Sequence, residues 1–310
     1  MRAGPKLSYW LGWAVLAAAL GAGPAAAQAP AVPPAAPPVG QPAAGPAPDS
    51  LGADPPAVRL KLFEAARLVN RFKDSEALAV YQDVLKANPV HYLALWQAAV
   101  LSVKIGARYS DETRETAYFD AAARYADRAL GLRPEGGESN YAAALALFSQ
   151  AGLYRSGNRL AAFRDLRSYV FLAAAHRPDL PEAWQLLGRW QYRVGHYNVP
   201  ERIYSKIVLG GVPPGGSVPD AMRSLETALR LDSSRVSFYY DLARMYRYQG
   251  RRRRAVALLQ KAIRLPTFTS EDLTINRLCQ QLLGPLQRAT ARRARRRARA
   301  AGAPPAAPAP

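Results

Sequence analysis

Residues 77–89 read ALAVYQDVLKANP, and their spacing, Ala77-x3-Tyr81-x2-Val84-x4-Pro89, returns unchanged at Ala122-x3-Ala126-x2-Ala129-x4-Pro134. Leu166, Val170, Ala173 and Pro178 repeat it a third time. Ala221, Leu225, Ala228, Ser233 and Ala255, Leu259, Ala262, Thr267 keep the frame without the proline. Steps of four and three residues put the apolar positions on one helical stripe, and proline, with no N–H to donate, stops the helix behind them. One spacing in five units predicts an all-α repeat, because each unit alone buries only one face and must stack on its neighbours. From residue 58 onward no run of alternating β-branched residues competes with that period. An ordinary helix bundle is the competing architecture, and the recurrence argues against it.

The first halves of the units are clearest at Trp184-x2-Leu187-Gly188 and at Tyr239-x2-Leu242-Ala243-x2-Tyr246. These resemble the helix-A pattern of tetratricopeptide repeats, W-x2-L-G-x2-Y, with the A-x3-F…P helix B following. The resemblance implies a right-handed superhelix of about five helix pairs, with a capping helix expected at residues 270–287, where Thr269/Ser270 and Glu271-Asp272 suit a helix amino terminus. Small residues at Ala65, Ala99, Gly188 and Ala243 are expected to let helix B approach helix A. Units two, three and four carry insertions, the longest from Val194 to Pro219 between the helices of unit four.

That insertion carries a second resemblance. Gly188-Arg189-Trp190, Tyr192, Glu201-Arg202, Lys206 and Leu209-Gly210-Gly211-Val212-Pro213-Pro214 are similar to the signature of the regulator of microtubule dynamics family, and Leu265-Pro266 and Glu271-Asp272-Leu273 fit its ending. The chain departs from the family pattern at Gln191 and at Asn198-Val199-Pro200, where a tryptophan is often found. The resemblance covers about residues 58–286 and implies a tetratricopeptide protein. Animal members are associated with microtubules or membrane contact sites, at least one is implicated in phospholipid binding, and bacterial relatives are exported.

Composition sets the ends and the compartment. Residues 21–57 are almost pure Ala, Pro and Gly and residues 300–310 read AAGAPPAAPAP, so neither stretch buries enough apolar surface to offset chain entropy. Arg2 and Lys6, an apolar run from Tyr9 to Leu20, the Gly21–Pro24 breaker and Ala25-Ala26-Ala27 have the order of a secretory signal cleaved after Ala27. A retained membrane anchor is the alternative, disfavoured because a spanning helix needs about 20 apolar residues. The expected organisation is a signal (1–27), a Pro/Ala linker (28–57), the repeat domain (58–287) and an arginine-rich, then Ala/Pro-rich disordered tail (288–310), in a protein exported to a bacterial periplasm or beyond. An exported chain does not meet cytoplasmic microtubules. Formal net charge is +19; the seven arginines of 288–299 and the small charges of the leader and linker leave about +12 on the repeat domain. Such a field attracts nucleic acid, anionic lipid, envelope polymer or acidic protein, and export disfavours nucleic acid.

The residues counted onto the inner stripe of the helix-A positions are Gln185, Arg189, Tyr192 and Arg193 in unit four and Tyr240, Arg244, Arg247 and Tyr248 in unit five, with Glu182 and Ser237 beginning the stripes. Four arginines interleaved with three tyrosines suit bidentate capture of carboxylate or phosphate beside an apolar segment. The competing reading is a solvated basic face with tyrosines packing on neighbouring helices. Arg189, Glu201, Arg202 and Lys206 are expected to be structural rather than catalytic, with Glu201 pairing an arginine and the Gly-Gly-Val-Pro-Pro-Gly-Gly stretch making turns. Arg251–Arg254 read as a solvated corner. The tail residues Arg292, Arg293, Arg295, Arg296, Arg297 and Arg299 read as an anion-seeking segment without an apolar stripe.

Three histidines without ligand spacing and a single cysteine, Cys279, give no metal site, and no H-E-x-x-H, G-x-S-x-G, S-x-x-K or G-x-G-x-x-G occurs. His91, His176 and His196 are expected as caps or packing residues and Cys279 as a small buried side chain. No catalytic residue and no cofactor is expected. The first functional expectation is an exported, non-enzymatic scaffold that holds an acidic or carboxylate-bearing protein segment in the basic, aromatic groove, its tail drawn to an anionic lipid or envelope polymer. A lipid-binding or lipid-transfer protein using the concave face and the unit-four insertion is the alternative. An enzyme acting on cell-wall polymers comes third, with only Glu182 among the groove positions to serve it.

Overall fold

The computed structural model describes residues 54–300, with side chains as far as Arg293. The expected signal, most of the linker and residues 301–310 lie outside the described residues. Among the described residues there are twelve helices and no strand: α1 (Pro56–Asn70), α2 (Asp74–Ala87), α3 (Tyr92–Gly106), α4 (Glu112–Leu132), α5 (Gly137–Leu153), α6 (Ser156–His176), α7 (Pro181–Gly195), α8 (Val199–Val208), α9 (Val218–Leu231), α10 (Val236–Tyr248), α11 (Arg252–Ala262) and α12 (Ser270–Ala300). The five units are the pairs α1/α2, α3/α4, α5/α6, α7/α9 and α10/α11, with α12 packed on the last. The helical part begins at Pro56, two residues ahead of the expected boundary.

Each repeated stretch falls in the second helix of its pair, and every apolar residue quoted from the frame, from Ala77 to Ala262, is buried. The prolines do what their chemistry requires: α2, α4 and α6 each end two residues before Pro89, Pro134 and Pro178. Close approach within unit four is made by Gly188, where a Cβ would come within 3.0 Å of both the Ala221 carbonyl oxygen and Leu225 Cγ. Trp190 is wholly buried beside it, donating from Nε1 to the Phe163 carbonyl at 2.7 Å and standing edge-on to Phe171 at 5.6 Å between ring centroids. It ties unit four to unit three.

The insertions take two forms. In units two and three they lengthen the second helix to 21 residues in α4 and α6, against 14 in α2. In unit four they add α8, opened by a capping box in which Asn198 accepts from the Glu201 amide at 2.9 Å and Glu201 accepts from the Asn198 amide at 3.0 Å. Behind it Gly210, Gly211 and Gly215 hold positive φ values of 77°, 128° and 90°, the turn chemistry expected of that stretch.

The capping helix starts as expected, with the Asp272 amide donating to Thr269 Oγ1 at 3.0 Å and Asp272 Oδ2 accepting from the Thr269 amide at 3.1 Å. It does not stop at residue 287. α12 runs through Pro285 to Ala300, so the first part of the expected disordered tail is helix, in keeping with the high helical propensity of Ala and Arg. Cys279 is wholly buried in α12; burial, then the nearby Asp241 carboxylate, pushes its thiol up to about 12, so it packs as a small apolar group. No helix among the described residues is long and apolar enough to cross a membrane.

Candidate functional site

From α3 to α10 the first helices of successive units meet along a seam whose polar side chains are largely satisfied within the chain. Where α3 meets α5, the Tyr92 hydroxyl donates to Glu138 Oε2 at 3.2 Å and accepts from the Ser139 amide at 3.1 Å. Tyr141, on α5, is buried, and desolvation raises its phenol well above the usual range, so it stays neutral. Where α7 meets α10, Gln185 Nε2 and Arg189 Nε both donate to Asp241 Oδ2, at 2.8 and 2.6 Å. Arg189 is 20% exposed and Asp241 7%. The Arg189 guanidinium, counted from sequence as open to a partner, is therefore engaged by a carboxylate of the next unit.

Arg193 is engaged as well. Its guanidinium pairs with Glu201 of α8, both side chains 13% exposed, and it lies over the Tyr197 ring at 4.9 Å and the Phe163 ring at 5.6 Å. This is the structural role expected of Glu201, with the arginine now identified. Further along the same seam the aromatics cluster: Tyr192 packs on His196 at 4.0 Å, His196 on Tyr248 at 4.0 Å, and Tyr192 stands edge-on to Tyr248 at 6.1 Å. His196 donates from Nδ1 to the Tyr192 carbonyl at 2.7 Å, which fixes the proton there and leaves Nε2 buried without a partner. Burial lowers its pKa, the Tyr192 carbonyl opposes that, and Arg193 lowers it further. Its ring packs against Tyr192 and Tyr248, the packing place expected of it.

The stripe opens to solvent at its outer end. Tyr240 is buried with the Arg244 guanidinium 5.6 Å from its ring centre; Arg247 and Tyr248 are exposed. Neither Arg244 nor Arg247 has a carboxylate partner among the described residues. The eight counted residues thus divide: Gln185, Arg189 and Arg193 face acids of the chain itself, while Arg244 and Arg247 lie beside Tyr192, Tyr240 and Tyr248 with their charge available. Asp241, which decides this division, is the residue that counting helix-A positions misses. Its signal is a lone acid one place beyond Tyr240 in an otherwise basic and aromatic helix, SFYYDLARMYRY.

Of the other candidates, His91 caps α3, accepting from the Ala94 amide at 3.2 Å, and its Nε2 lies 3.1 Å from Asp54 Oδ2. His176 ends α6. No group of three or more His, Cys, Asp or Glu among the described residues is placed to hold a metal ion. Arg292 and Arg293 are exposed on α12, and the backbone of Arg295, Arg296, Arg297 and Arg299 continues that helix.

Stacked helix pairs, their first helices in contact from α3 through α5 and α7 to α10, define a tetratricopeptide-type repeat protein. The profile of the Regulator of microtubule dynamics protein 1-3 family matches residues 62–287, and the chain belongs to that family. Regulator of microtubule dynamics protein 3 of Bos taurus is 30% identical over 120 residues, 38% of this chain and 25% of the relative, so the match spans a quarter of the relative's length. Among solved structures, a thermophilic tetratricopeptide protein of Thermus thermophilus superposes with a TM-score of 0.51 at 18% identity, over 73% of this chain and 98% of its own. MamA (residues 41 to the end) of Desulfovibrio magneticus gives 0.40 at 15% identity, over 68% and 96%. The first of these shows the shared fold.

Proposed function

We propose that the chain is an exported, non-enzymatic scaffold that captures an acidic protein segment at the outer part of the α7–α10 seam. One observation carries the reading: Arg244 and Arg247 present two guanidinium groups without an internal acid, beside the Tyr192–His196–Tyr248 aromatic cluster. A carboxylate bound bidentately by Arg244 leaves the next side chain of a peptide against the Tyr248 face, where an apolar or aromatic residue gains contact area. Arg189 and Arg193 serve by holding α7, α8 and α10 in register.

A ten-residue fluorescent peptide of alternating Asp/Glu and Leu tests the reading by anisotropy. The wild-type chain is expected to bind it saturably, and Arg244→Glu with Arg247→Glu to abolish binding with the melting temperature unchanged. Undiminished binding by that double variant overturns the site. Export is tested by amino-terminal sequencing of the protein from its own host's envelope fraction, where the sequence beginning at Gln28 is expected.

A second reading, attachment to lipid through the unit-four insertion, is favoured by α8. Val199, Ile203 and Ile207 recur every four residues and are 69%, 54% and 77% exposed, with Arg202 and Lys206 exposed on the same helix. Sedimentation with anionic vesicles separates the readings: Ile203→Asp with Ile207→Asp abolishes lipid attachment if it occurs there and leaves peptide capture untouched.

A further inference from the structure

The corner where α10 turns into α11 faces α12, and the structure makes of it something that neither segment is alone. Arg251 to Arg254 read from sequence as four solvated charges. In the fold they line a cleft of about 270 Å³ together with Arg293 of α12, and an adjoining cleft of about 670 Å³ runs between Arg252 and the α12 residues Arg288, Arg292 and Arg293. Arg252 and Arg293 wall both clefts. No carboxylate pairs with any of these arginines among the described residues, and the first turn of α11 holds no acid.

Concentrating guanidinium groups without counter-charge is unfavourable unless an anion enters. Two features say which kind. Arg251, the residue before α11, offers no side-chain acceptor, and the Arg253 and Arg254 amides, at the positive end of the helix, have no acceptor among the described residues. Forked guanidinium donors lining one cleft beside a helix amino terminus suit a tetrahedral oxyanion, whose several oxygens accept from different directions. Two clefts sharing two arginines suit more than one such group on one ligand.

We infer that the α11–α12 corner is a binding site for clustered phosphate groups, whether on a free oligophosphate or on the head groups of a phosphorylated lipid. Arg252 and Arg293 bridge the two phosphate positions, Arg253 and Arg254 supply backbone amides to the first, and Arg288 and Arg292 surround the second. None of the eight counted seam residues lines either cleft, so the two readings rest on different side chains.

The test is calorimetric titration of the full chain with inorganic tripolyphosphate at about 0.15 M salt, where diffuse surface attraction is screened beyond about 8 Å. One saturable site is expected, with sulfate at equal ionic strength binding far more weakly. Arg252→Gln with Arg293→Gln is expected to weaken binding by about tenfold or more, each change removing charge-assisted hydrogen bonds. Arg59→Gln with Arg67→Gln, exposed on α1, removes the same charge and is expected to change affinity less than about twofold. Equal weakening by the corner and α1 pairs, or titration without saturation, overturns the inference. All these arginines are at least partly solvent-exposed, and an unchanged melting temperature shows that a loss is one of binding. Vesicles with and without phosphatidate distinguish the sources: phosphatidate-dependent binding displaced by tripolyphosphate assigns the phosphate to lipid, and its absence beside a saturable titration assigns it to a soluble anion.

Discussion

Arg189 and Arg252 belong to the same residue type in neighbouring units, and their surroundings are opposite. Arg189 lies across a unit boundary from an acid that also takes a hydrogen bond from Gln185, and the three together close the α7–α10 seam. Arg252 stands among other arginines, with no acid beside it in the described structure. The lesson is that in a basic repeat protein the number of arginines facing a groove says little about binding. What matters is whether the next unit supplies a carboxylate. At the seam it does, and the arginines bind the protein together; at the corner and at Arg244 and Arg247 it does not, and they remain available to a ligand.

The sharpest way to break this contrast is charge reversal at its paired end. Arg189→Glu sets a second carboxylate against Asp241, which is 7% exposed, and removes the cation that neutralises it. Disrupting a buried pair in this way costs about 3–5 kcal/mol, near the lower figure here because Arg189 keeps some contact with water. Urea denaturation is expected to show a large drop in midpoint, and a stability within about 0.5 kcal/mol of wild type shows that the seam does not need the pair. A smaller effect is expected one turn on. Glu201→Gln keeps the shape of the side chain but leaves Arg193 without its carboxylate and largely enclosed near Arg159, whose own pKa burial and Arg193 already lower. A loss of about 2 kcal/mol follows, with the capping box of α8 weakened, and faster amide exchange confined to residues 198–208 locates it.

Smaller again is the effect of the unpaired end on folding. Arg244→Glu with Arg247→Glu is expected to leave stability within about 0.5 kcal/mol of wild type, because neither side chain has an acid to lose. Together with Arg189→Glu, this pair of measurements decides whether the division between structural and available arginines is real.

How much of this is legible in the sequence follows from what each feature depends on. The five units are written in side-chain volume and period: the first frame position is a buried Ala77, Ala122, Ala221 or Ala255 in four units and a buried Leu166 in the third, and such a pattern can be read one residue at a time. Gly188 belongs to the same class. α8 has a local signal that the repeat frame passes over. Asn198 and Glu201 form an N-x-x-E capping box, and Val199, Ile203 and Ile207 keep a helical period behind it, a pattern hidden by Pro200, which is tolerated in a first turn. The neutralisation of Arg189 lies beyond single-residue reading, because it depends on which residue of α10 faces α7. Asp241 is next to a counted position and points at the same neighbour, so a pairwise reading of successive first helices would find it. The approach of α12 to Arg251–Arg254 has no local signal, since it joins segments separated by some forty residues and depends on the helix continuing past Pro285.

The smallest expected effect tests the aromatic cluster that borders both kinds of arginine. His196 has a pKa below the ordinary 6.5, chiefly because burial between Tyr192 and Tyr248 disfavours the charged ring, with Arg193 adding repulsion. The unfolded chain therefore takes up the proton more readily than the folded one. Between the folded value and 6.5 the unfolded state binds more protons, so stability rises with pH through that window. Above 6.5 the histidine is neutral in both states and its contribution is full; as pH falls through the window the contribution is lost. In His196→Phe, which keeps a ring of similar size but cannot take up a proton, this part of the pH dependence should vanish. Urea midpoints of the two proteins between pH 5 and 7.5 measure it, and parallel profiles would mean that His196 is protonated as easily in the fold as outside it. The same ring leaves Nε2 buried and unpartnered, so protonation adds a donor in a site with no acceptor to meet it. That is why the cluster favours the neutral histidine, and why the positive charge at this end of the seam resides on Arg244 and Arg247 instead.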